Sequence, residues 1–182
     1  GIPFYDSELI KVAAKESGIC EEIFESFDEK PTTSFLYSLV MDPYSLGYNS
    51  NSFDLPLNHK VFLAAFDTIK ELASKGPCVF VGRCADYALS EYKDCFSVFV
   101  HADIDWRINR LSQKHNKTAK EAKDMINKTD KSRSSYYNYY TNKKWGAASS
   151  YNLCVDSSKL GIDGAAKAII QAIEIFDSIK NK

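Results

Sequence analysis

An arginine directly after an apolar strand is the first residue of this sequence whose position suggests chemistry. In the stretch VFVGRCADYAL, an apolar segment ends at Val81 and is followed by Gly82 and Arg83. Ligands of open parallel sheets bind beyond the carboxyl ends of the strands, and a glycine there lets the backbone turn tightly. The planar guanidinium of arginine suits a phosphate that accepts two hydrogen bonds. The stretch therefore predicts an anion site, although its spacing fits a surface arginine after a turn equally well.

Two further arginines share one side of a predicted helix. In HADIDWRINRL, Arg107 and Arg110 are three residues apart, and the apolar residues of the segment form the opposite face. Two arginines on one helical face can bind a polyanion. An amphipathic helix also needs a solvated face, and the pattern taken alone favours this second interpretation.

A third basic stretch, INKTDKSRSSYYNYYTNKKW, mixes cations with aromatic residues. Lys128, Lys131 and Arg133 surround Asp130, and four tyrosines and Trp145 follow. Aromatic residues interleaved with cations can stack on nucleobases. Tyrosines at helical spacing more often pack against a neighbouring element with their hydroxyl groups in water, so the pattern favours packing.

Histidine and cysteine spacing gives no reason to expect a metal site. The three histidines lie far apart in the sequence, and none of the five cysteines falls in a Cys-x-x-Cys pair. Cys78 and Cys154 lie inside apolar runs and are predicted to be buried. An odd number of scattered cysteines is typical of a protein in a reducing cytoplasm.

Composition and charge limit the classes of protein to which this chain can belong. Its 182 residues, of which 45% are hydrophobic and 26% charged, suit one globular domain. A net charge of −1 argues against a fold-wide attraction to nucleic acid or to an anionic membrane. No apolar run approaches the roughly 20 residues that span a bilayer, and the first residues lack the basic segment followed by a long apolar one that is typical of a signal peptide. We therefore expect a cytoplasmic location and no membrane partner.

The elements that must position these residues alternate between short apolar strands and amphipathic helices. Four strands are predicted, at Phe4–Tyr5, Cys78–Val81, Phe96–Val100 and Leu153–Val155. Helices are predicted at Ser7–Ser17, at Ile19–Phe27, from Asn58, from Asp103 to about Lys114, from Thr118 in a capping box with Glu121, and at about Ile162–Ile179. Strands that are apolar without alternation are typical of a parallel sheet buried on both faces, which makes the fold class α/β.

Five segments, taken together in their order and spacing, resemble the cytidylate kinase-like family of P-loop nucleotide kinases. They are GIPFYDSEL, PCVFVGRCADYAL, FVHADIDWRINRL, DKSRSSYYNYYTNKKWG and YNLCVDSSKLGID, and they extend over nearly the whole chain. The resemblance implies one nucleotide-kinase-like domain over residues 1–182, with a three-layer α/β fold in which helices flank a parallel sheet. It also implies an acceptor-binding insertion at about 19–57 and a helical lid at about 114–144.

The resemblance further implies a strand and a Gly-rich phosphate loop that this sequence does not contain. No G-x-x-x-x-G-K-[ST] motif occurs in the chain. In these kinases the strand order is 2-3-1-4-5, so the missing first strand would be the central one, and its absence would leave two inner edges unpaired. We expect the residues that form this strand to lie upstream of Gly1.

On the acceptor side, the resemblance assigns four residues to substrate binding. Gly82 and Arg83 match the family's Gly-Arg, whose arginine faces the phosphate of the acceptor nucleotide, and Asp6 matches a carboxylate at the end of the second strand. The family continues this carboxylate as Asp-Thr-Gly, where the sequence here is DSEL, and follows Gly-Arg with Asp. Here Cys84 comes next, and Asp86 lies two residues further on. The departures imply an altered pocket for a nucleoside monophosphate, not necessarily CMP, or for a related small acceptor.

On the donor side, the resemblance assigns four cations to catalysis. Arg107 and Arg110 match an Arg-x-x-Arg helix that leads into the lid. Lys131 and Arg133, with Asp130 as a substrate-binding neighbour, fall where a charged lid closes over the transferring phosphate. Phosphoryl transfer needs positioning, and positive charge around the equatorial oxygens, more than it needs covalent help.

The resemblance completes the donor site with Asp156 and Ser157, which match the turn after the fifth strand near the adenine. It implies ATP as the phosphoryl donor, Mg²⁺ as its metal and a small nucleotide as acceptor. The sequence thus predicts an ATP-dependent nucleotide kinase, with a non-catalytic nucleotide-binding or regulatory module of the same fold as the alternative. The tyrosine-rich segment is compatible with a lid, a homodimer contact or both, while the charge of −1 disfavours a nucleic-acid partner.

Overall fold

The structure is a computed structural model that describes residues 1–6, 8–18 and 57–180. The helix predicted at Ile19–Phe27, and the predicted acceptor-binding insertion up to residue 56, lie outside these residues. The chain divides into two compact units, Gly1–Leu89 and Ser90–Lys182. We call them the first and the second unit and describe each by itself.

In the first unit, two short parallel strands accompany three helices. The elements are β1 (Phe4–Tyr5), α1 (Glu8–Ser17), α2 (Leu57–Ser74), β2 (Val79–Phe80) and α3 (Ala85–Ala88). Tyr5 pairs with Phe80, and their rings stack with centroids 5.3 Å apart. Helix α2 packs against α1 and α3. Its buried residues recur every three or four positions, as expected of an amphipathic helix, and are Val61, Phe62, Ala65, Thr68, Ile69 and Leu72.

In the second unit, a second pair of parallel strands supports a helical hairpin and a long helix. The elements are β3 (Val98–His101), α4 (Ile104–His115), α5 (Ala119–Thr141), a 3₁₀ turn (Ala148–Ser150), β4 (Leu153–Asp156) and α6 (Ser157–Lys180). His101 lies opposite Asp156 at the carboxyl end of the pair. Helix α4 packs on α5, and α6 packs on both strands.

Local sequence specifies the ends of the two hairpin helices. Asp103 caps α4 by accepting a hydrogen bond from the backbone N–H of Asp105. Asn116, in the left-handed conformation, ends α4. Thr118 and Glu121 form the predicted capping box, and the hydrogen bond from the Thr118 hydroxyl lowers the pKa of Glu121. These caps satisfy backbone groups that a helix end leaves unpaired, so the hairpin is fixed by its own residues.

The predicted α/β class with parallel strands is confirmed, but complete burial of the strands is wrong for the described residues. The side chains of Val79, Val81 and Val100 are 46%, 41% and 52% exposed. Each sheet has two strands in the described part of the chain, so each strand has one neighbour there and apolar side chains stay in contact with solvent. Cys78 and Cys154 are accordingly half-buried rather than buried.

Some predicted boundaries also shift. The strands predicted to begin at Cys78 and Phe96 begin at Val79 and Val98. The final helix starts at Ser157 rather than at about Ile162, with a break in helical geometry at Gly161, where φ is +67°. That glycine permits the kink, because a positive φ is costly for residues with a Cβ atom.

Replacing Gly146 with alanine should destabilise the protein more than replacing Gly161 with alanine. Both glycines have a positive φ, a backbone conformation that costs a residue with a Cβ atom about 1–3 kcal/mol. A Cβ atom at residue 146 would in addition lie 3.3 Å from the Phe99 ring, whereas one at residue 161 meets no atom within 4 Å. Urea unfolding of the two variants measures the difference, and equal losses would show that the ring at residue 99 yields without cost.

Candidate functional site

Parallel pairing brings two of the predicted site residues together at one edge of the first unit. Asp6 follows β1, and Arg83 lies three residues beyond the end of β2. Arg83 donates from Nη1 to the Oδ1 atom of Asp6 over 2.7 Å and to the Val81 carbonyl over 3.0 Å. The Arg83 side chain is only 10% exposed, while that of Asp6 is 51% exposed. The Val81 carbonyl and the Asp6 carboxylate thus fix the position of the Arg83 guanidinium, while the carboxylate itself stays in contact with solvent.

The turn that carries Arg83 is conformationally strained. Gly82, Arg83 and Cys84 have φ values of +74°, +52° and +57°. The Gly82 carbonyl accepts a hydrogen bond from the N–H of Ala85 over 3.0 Å, and Cys84 is buried. Left-handed conformations in two successive non-glycine residues each cost about 1–3 kcal/mol and cluster at binding sites. The helix that follows this turn, α3, is a single turn long, and Asp86 within it is half-buried.

In the second unit, a cavity of about 310 Å³ lies at the carboxyl end of β3 and extends along α4 and α5. Its charged and polar lining residues are His101, Arg107, Arg110, Asp130, Arg133 and Ser157. Its aromatic lining residues are Phe99, Trp106 and Trp145. The cavity therefore combines three guanidinium groups with one carboxylate and three aromatic rings, a composition suited to an anion that carries a ring.

A two-point ion pair joins the helical hairpin across this cavity. Arg107 on α4 donates from Nη1 and Nη2 to the two carboxylate oxygens of Asp130 on α5, each over 2.7 Å. The side chains are 31% and 28% exposed, so the pair is partly shielded from water. The hydrogen bond to Asp130 raises the pKa of Arg107. This bidentate geometry is the strongest that arginine and a carboxylate can adopt.

The other predicted cations differ in how they relate to the cavity. The guanidinium of Arg110 lies 5.5 Å from the centroid of the Trp106 ring, in a cation–π contact. Arg133 also lines the cavity, whereas Lys131 is exposed and is not among the residues that line it. Three of the four cations predicted to be catalytic therefore lie at one cavity, and Asp130 lies there with them.

The turn after β4 supplies the polar floor of the cavity. Ser157 donates from its hydroxyl to the backbone carbonyl of His101 over 3.0 Å, which ties β4 to β3 where both strands end. Asp156 accepts hydrogen bonds from the hydroxyl and the N–H of Ser158, and the hydroxyl bond lowers the pKa of Asp156. Of the two residues predicted here, Ser157 lines the cavity, while Asp156 is engaged with its own turn.

A chain of stacked rings, which sequence reasoning did not assign to the site, fixes the aromatic wall. The Tyr137 ring lies 5.9 Å from Tyr151, which in turn stacks on Phe99 with centroids 4.9 Å apart. Phe99 meets Trp145 edge-on at 5.1 Å. The tyrosine-rich stretch therefore packs, as its helical spacing favours, and it connects the end of α5 to β3. In the sequence, Trp106 directly precedes Arg107 and Trp145 directly follows Lys144, and this placement of both tryptophans beside cations was the available signal for the wall.

Replacing Tyr137 with alanine should destabilise the protein by about 3 kcal/mol, because it removes a ring that is 6% exposed from this packing. The matched control is Tyr139→Ala, two residues along α5, whose ring is 47% exposed and which should cost less than about 1 kcal/mol. Thermal unfolding of both variants measures the contrast. Similar losses would mean that the stacked rings do not hold α5.

The described residues contain neither a membrane-spanning helix nor a cluster of metal-ligating side chains. None of the helices in the described ranges is long and apolar enough to cross a membrane. Within the same ranges, no group of three or more His, Cys, Asp or Glu side chains could hold a metal ion.

The sequence profile of the cytidylate kinase-like family matches residues 1–159 of the chain. The fold is similar to the crystal structure of an uncharacterized protein from Eubacterium ventriosum ATCC 27560, with a TM-score of 0.69 and 26% sequence identity. That similarity covers 95% of this chain and 83% of the other. No curated protein matches the sequence significantly.

Proposed function

The chain belongs to the cytidylate kinase-like family, and we propose that it serves the ATP-dependent transfer of a phosphoryl group to a nucleoside monophosphate or a related small acceptor. The observation that carries the proposal is the cavity lined by Arg107, Arg110 and Arg133. A phosphoryl group in transfer spreads negative charge over its equatorial oxygens. Preorganised guanidinium groups stabilise that charge, and three of them at one cavity supply the electrostatic part of catalysis.

Binding of the acceptor is assigned to the strained turn of the first unit. Arg83 presents its guanidinium to the acceptor phosphate, with Asp6 orienting it through the 2.7 Å hydrogen bond. Gly82 permits the turn, and Asp86 lies one turn further along the chain, where it can contact the acceptor. The residue after Arg83 is a buried cysteine, Cys84, rather than the family's aspartate, so the acceptor pocket is less acidic than in authentic cytidylate kinases.

Binding of ATP is assigned to the cavity of the second unit. Ser157, with Asp156 beside it in the chain, marks the adenine end, and the arginines of α4 and α5 bind the phosphates. Lys131, which does not line the cavity, joins these arginines when the predicted lid closes. The described residues provide no cluster of carboxylates for a resident metal, so Mg²⁺ would enter with the nucleotide phosphates, whose charge it neutralises. The aromatic wall excludes water from the phosphates, which limits hydrolysis of the donor.

A non-catalytic nucleotide-binding module is the second candidate. It is favoured by the engagement of Arg107 with Asp130, because that guanidinium already has an internal anion.

A cytoplasmic location and homodimerisation through the tyrosine-rich segment form part of either proposal. Light scattering of the purified protein, with and without nucleotide, tests the dimer.

Turnover and binding measured on the same preparation separate the two candidates. ³¹P NMR would follow ATP in the presence of Mg²⁺ and each of a panel of nucleoside monophosphates. An enzyme produces ADP only when its acceptor is present. If the protein is a non-catalytic module, ATP should change its tryptophan fluorescence, but no ADP should form with any acceptor. That combination would overturn the proposed kinase activity.

Arg83→Lys should weaken binding of the acceptor monophosphate by about tenfold, because a single ammonium cannot reproduce the bidentate fork. Arg83→Ala should weaken it further. Lys75→Ala is the charge-matched control, since Lys75 forms an exposed ion pair with Glu71 in the same unit. Isothermal titration with the acceptor identified by NMR provides the measurement. Unchanged affinity in Arg83→Ala would remove Arg83 from the acceptor site.

The lid predicted at about 114–144 should move when nucleotides bind. Burial of Tyr136 and Tyr137 holds the end of α5, so movement should be largest around the turn between α4 and α5. Hydrogen exchange in that region should slow on adding a bisubstrate analogue of ATP and acceptor. Arg133→Ala should lower turnover at least tenfold with little loss of stability, while Lys123→Ala on the same helix should not. Hydrogen exchange that is equally slow with and without the analogue would rule out a lid.

A further inference from the structure

We infer that Asp130 is an internal competitor of the phosphate ligand, one that occupies Arg107 in the free protein and is displaced when a phosphate anion enters the cavity. The inference rests on the proposed function, because it gives the cavity a phosphate ligand. It assigns Asp130 a role other than substrate contact. Asp130 sets how strongly the cavity attracts anions.

The first argument is that the carboxylate and a phosphate require the same donors. Asp130 uses the outer N–H groups of both Nη1 and Nη2 of Arg107, each over 2.7 Å. Bidentate binding of phosphate uses such a pair of parallel N–H groups. A phosphate at this edge of the guanidinium must replace the carboxylate. A phosphate at the remaining edge would lie beside a negative charge and be repelled.

The second argument comes from the charges of the cavity. Among the residues that line it, Arg107, Arg110 and Arg133 are cationic, and Asp130 is the one carboxylate. The Arg107–Asp130 pair is about two-thirds buried, so its charges are screened less than those of a surface pair. Removing the carboxylate charge therefore makes the net charge of the lining residues more positive by one unit, next to a guanidinium that is partly shielded from water.

The third argument is that the hairpin does not depend on the pair alone. Ala122 and Ile126 on α5 are buried, and the Thr118–Glu121 capping box fixes the start of the helix. The carboxylate can consequently leave Arg107 without dismantling α4 and α5. Because the hairpin has these other contacts, Arg107 can exchange the Asp130 carboxylate for a phosphate anion while α4 and α5 stay folded.

Two interpretations of Asp130 predict opposite signs for one measurement. If Asp130 competes, Asp130→Asn should bind anions more tightly and be less stable, because Arg107 then lacks its counter-ion. If Asp130 instead orients Arg107 towards the ligand, the same variant should bind anions more weakly. If Asp130 only stabilises the hairpin, Asp130→Asn should be less stable but should bind anions with unchanged affinity.

The test is a titration with inorganic pyrophosphate, followed by intrinsic fluorescence. The chain has two tryptophans, Trp106 and Trp145, and both line the cavity, so the signal reports on this site. We expect Asp130→Asn to lower the dissociation constant roughly tenfold at low salt. Asp124→Asn, which neutralises an exposed carboxylate on the same helix, should leave it unchanged. Adding Arg107→Gln to Asp130→Asn should abolish the gain.

Unchanged or weaker pyrophosphate binding by Asp130→Asn overturns the inference, as does a gain that survives Arg107→Gln. Should Asp130→Asn fail to fold, a crystal structure of the unmodified protein with pyrophosphate decides. Competition requires the Arg107–Asp130 hydrogen bonds to be broken there, and their persistence contradicts it. Kinase activity is measured separately, so tighter pyrophosphate binding without any phosphoryl transfer would refute the proposed function while leaving the competition intact.

Discussion

Parallel pairing of short strands is the constraint on which both candidate sites depend. In each unit it places two carboxyl ends at the same edge, so the residues that follow the strands meet although they are distant in sequence. Asp6 and Arg83 are 77 positions apart and form a 2.7 Å hydrogen bond. His101 and Ser157 are 56 positions apart and are joined in the same manner. The contact between Asp6 and Arg83 and the contact between Ser157 and His101 are products of this register.

Helix packing, rather than strand pairing, determines where the cations of the second unit lie. The hairpin of α4 and α5 brings Arg107 to Asp130, and the stacked rings from Tyr137 to Phe99 hold the end of α5 to β3. The cavity lies between these two attachments. One is an ion pair that an anion can compete for, and the other is apolar packing that an anion leaves intact. The site thus has a replaceable contact at one side and a permanent one at the other.

The sequence predicts best those features that neighbouring residues determine. The caps at Asp103 and Thr118 follow from backbone groups within three residues, and the strand at Phe4–Tyr5 follows from local apolar character. Burial of the strands could not be predicted, because it depends on how many strands each sheet contains. The Arg107–Asp130 pair was also missed, since it requires the angle and register of two helices that only tertiary packing fixes.

A cluster of guanidinium groups in a partly buried cavity raises an electrostatic problem that the fold must solve in the absence of ligand. Like charges that line one cavity repel each other, and Arg107, whose side chain is 31% exposed, is the least exposed of the three arginines. Asp130 neutralises one guanidinium, and the face of the Trp106 ring attracts that of Arg110. Of these two contacts, the carboxylate is the one that opposes anion binding, because it accepts the hydrogen bonds of Arg107, whereas the ring contacts the face of Arg110. The Asp130 carboxylate thus neutralises a partly buried guanidinium at the expense of the affinity of the cavity for anions, and because an anion can displace it, the cavity keeps the capacity to bind one.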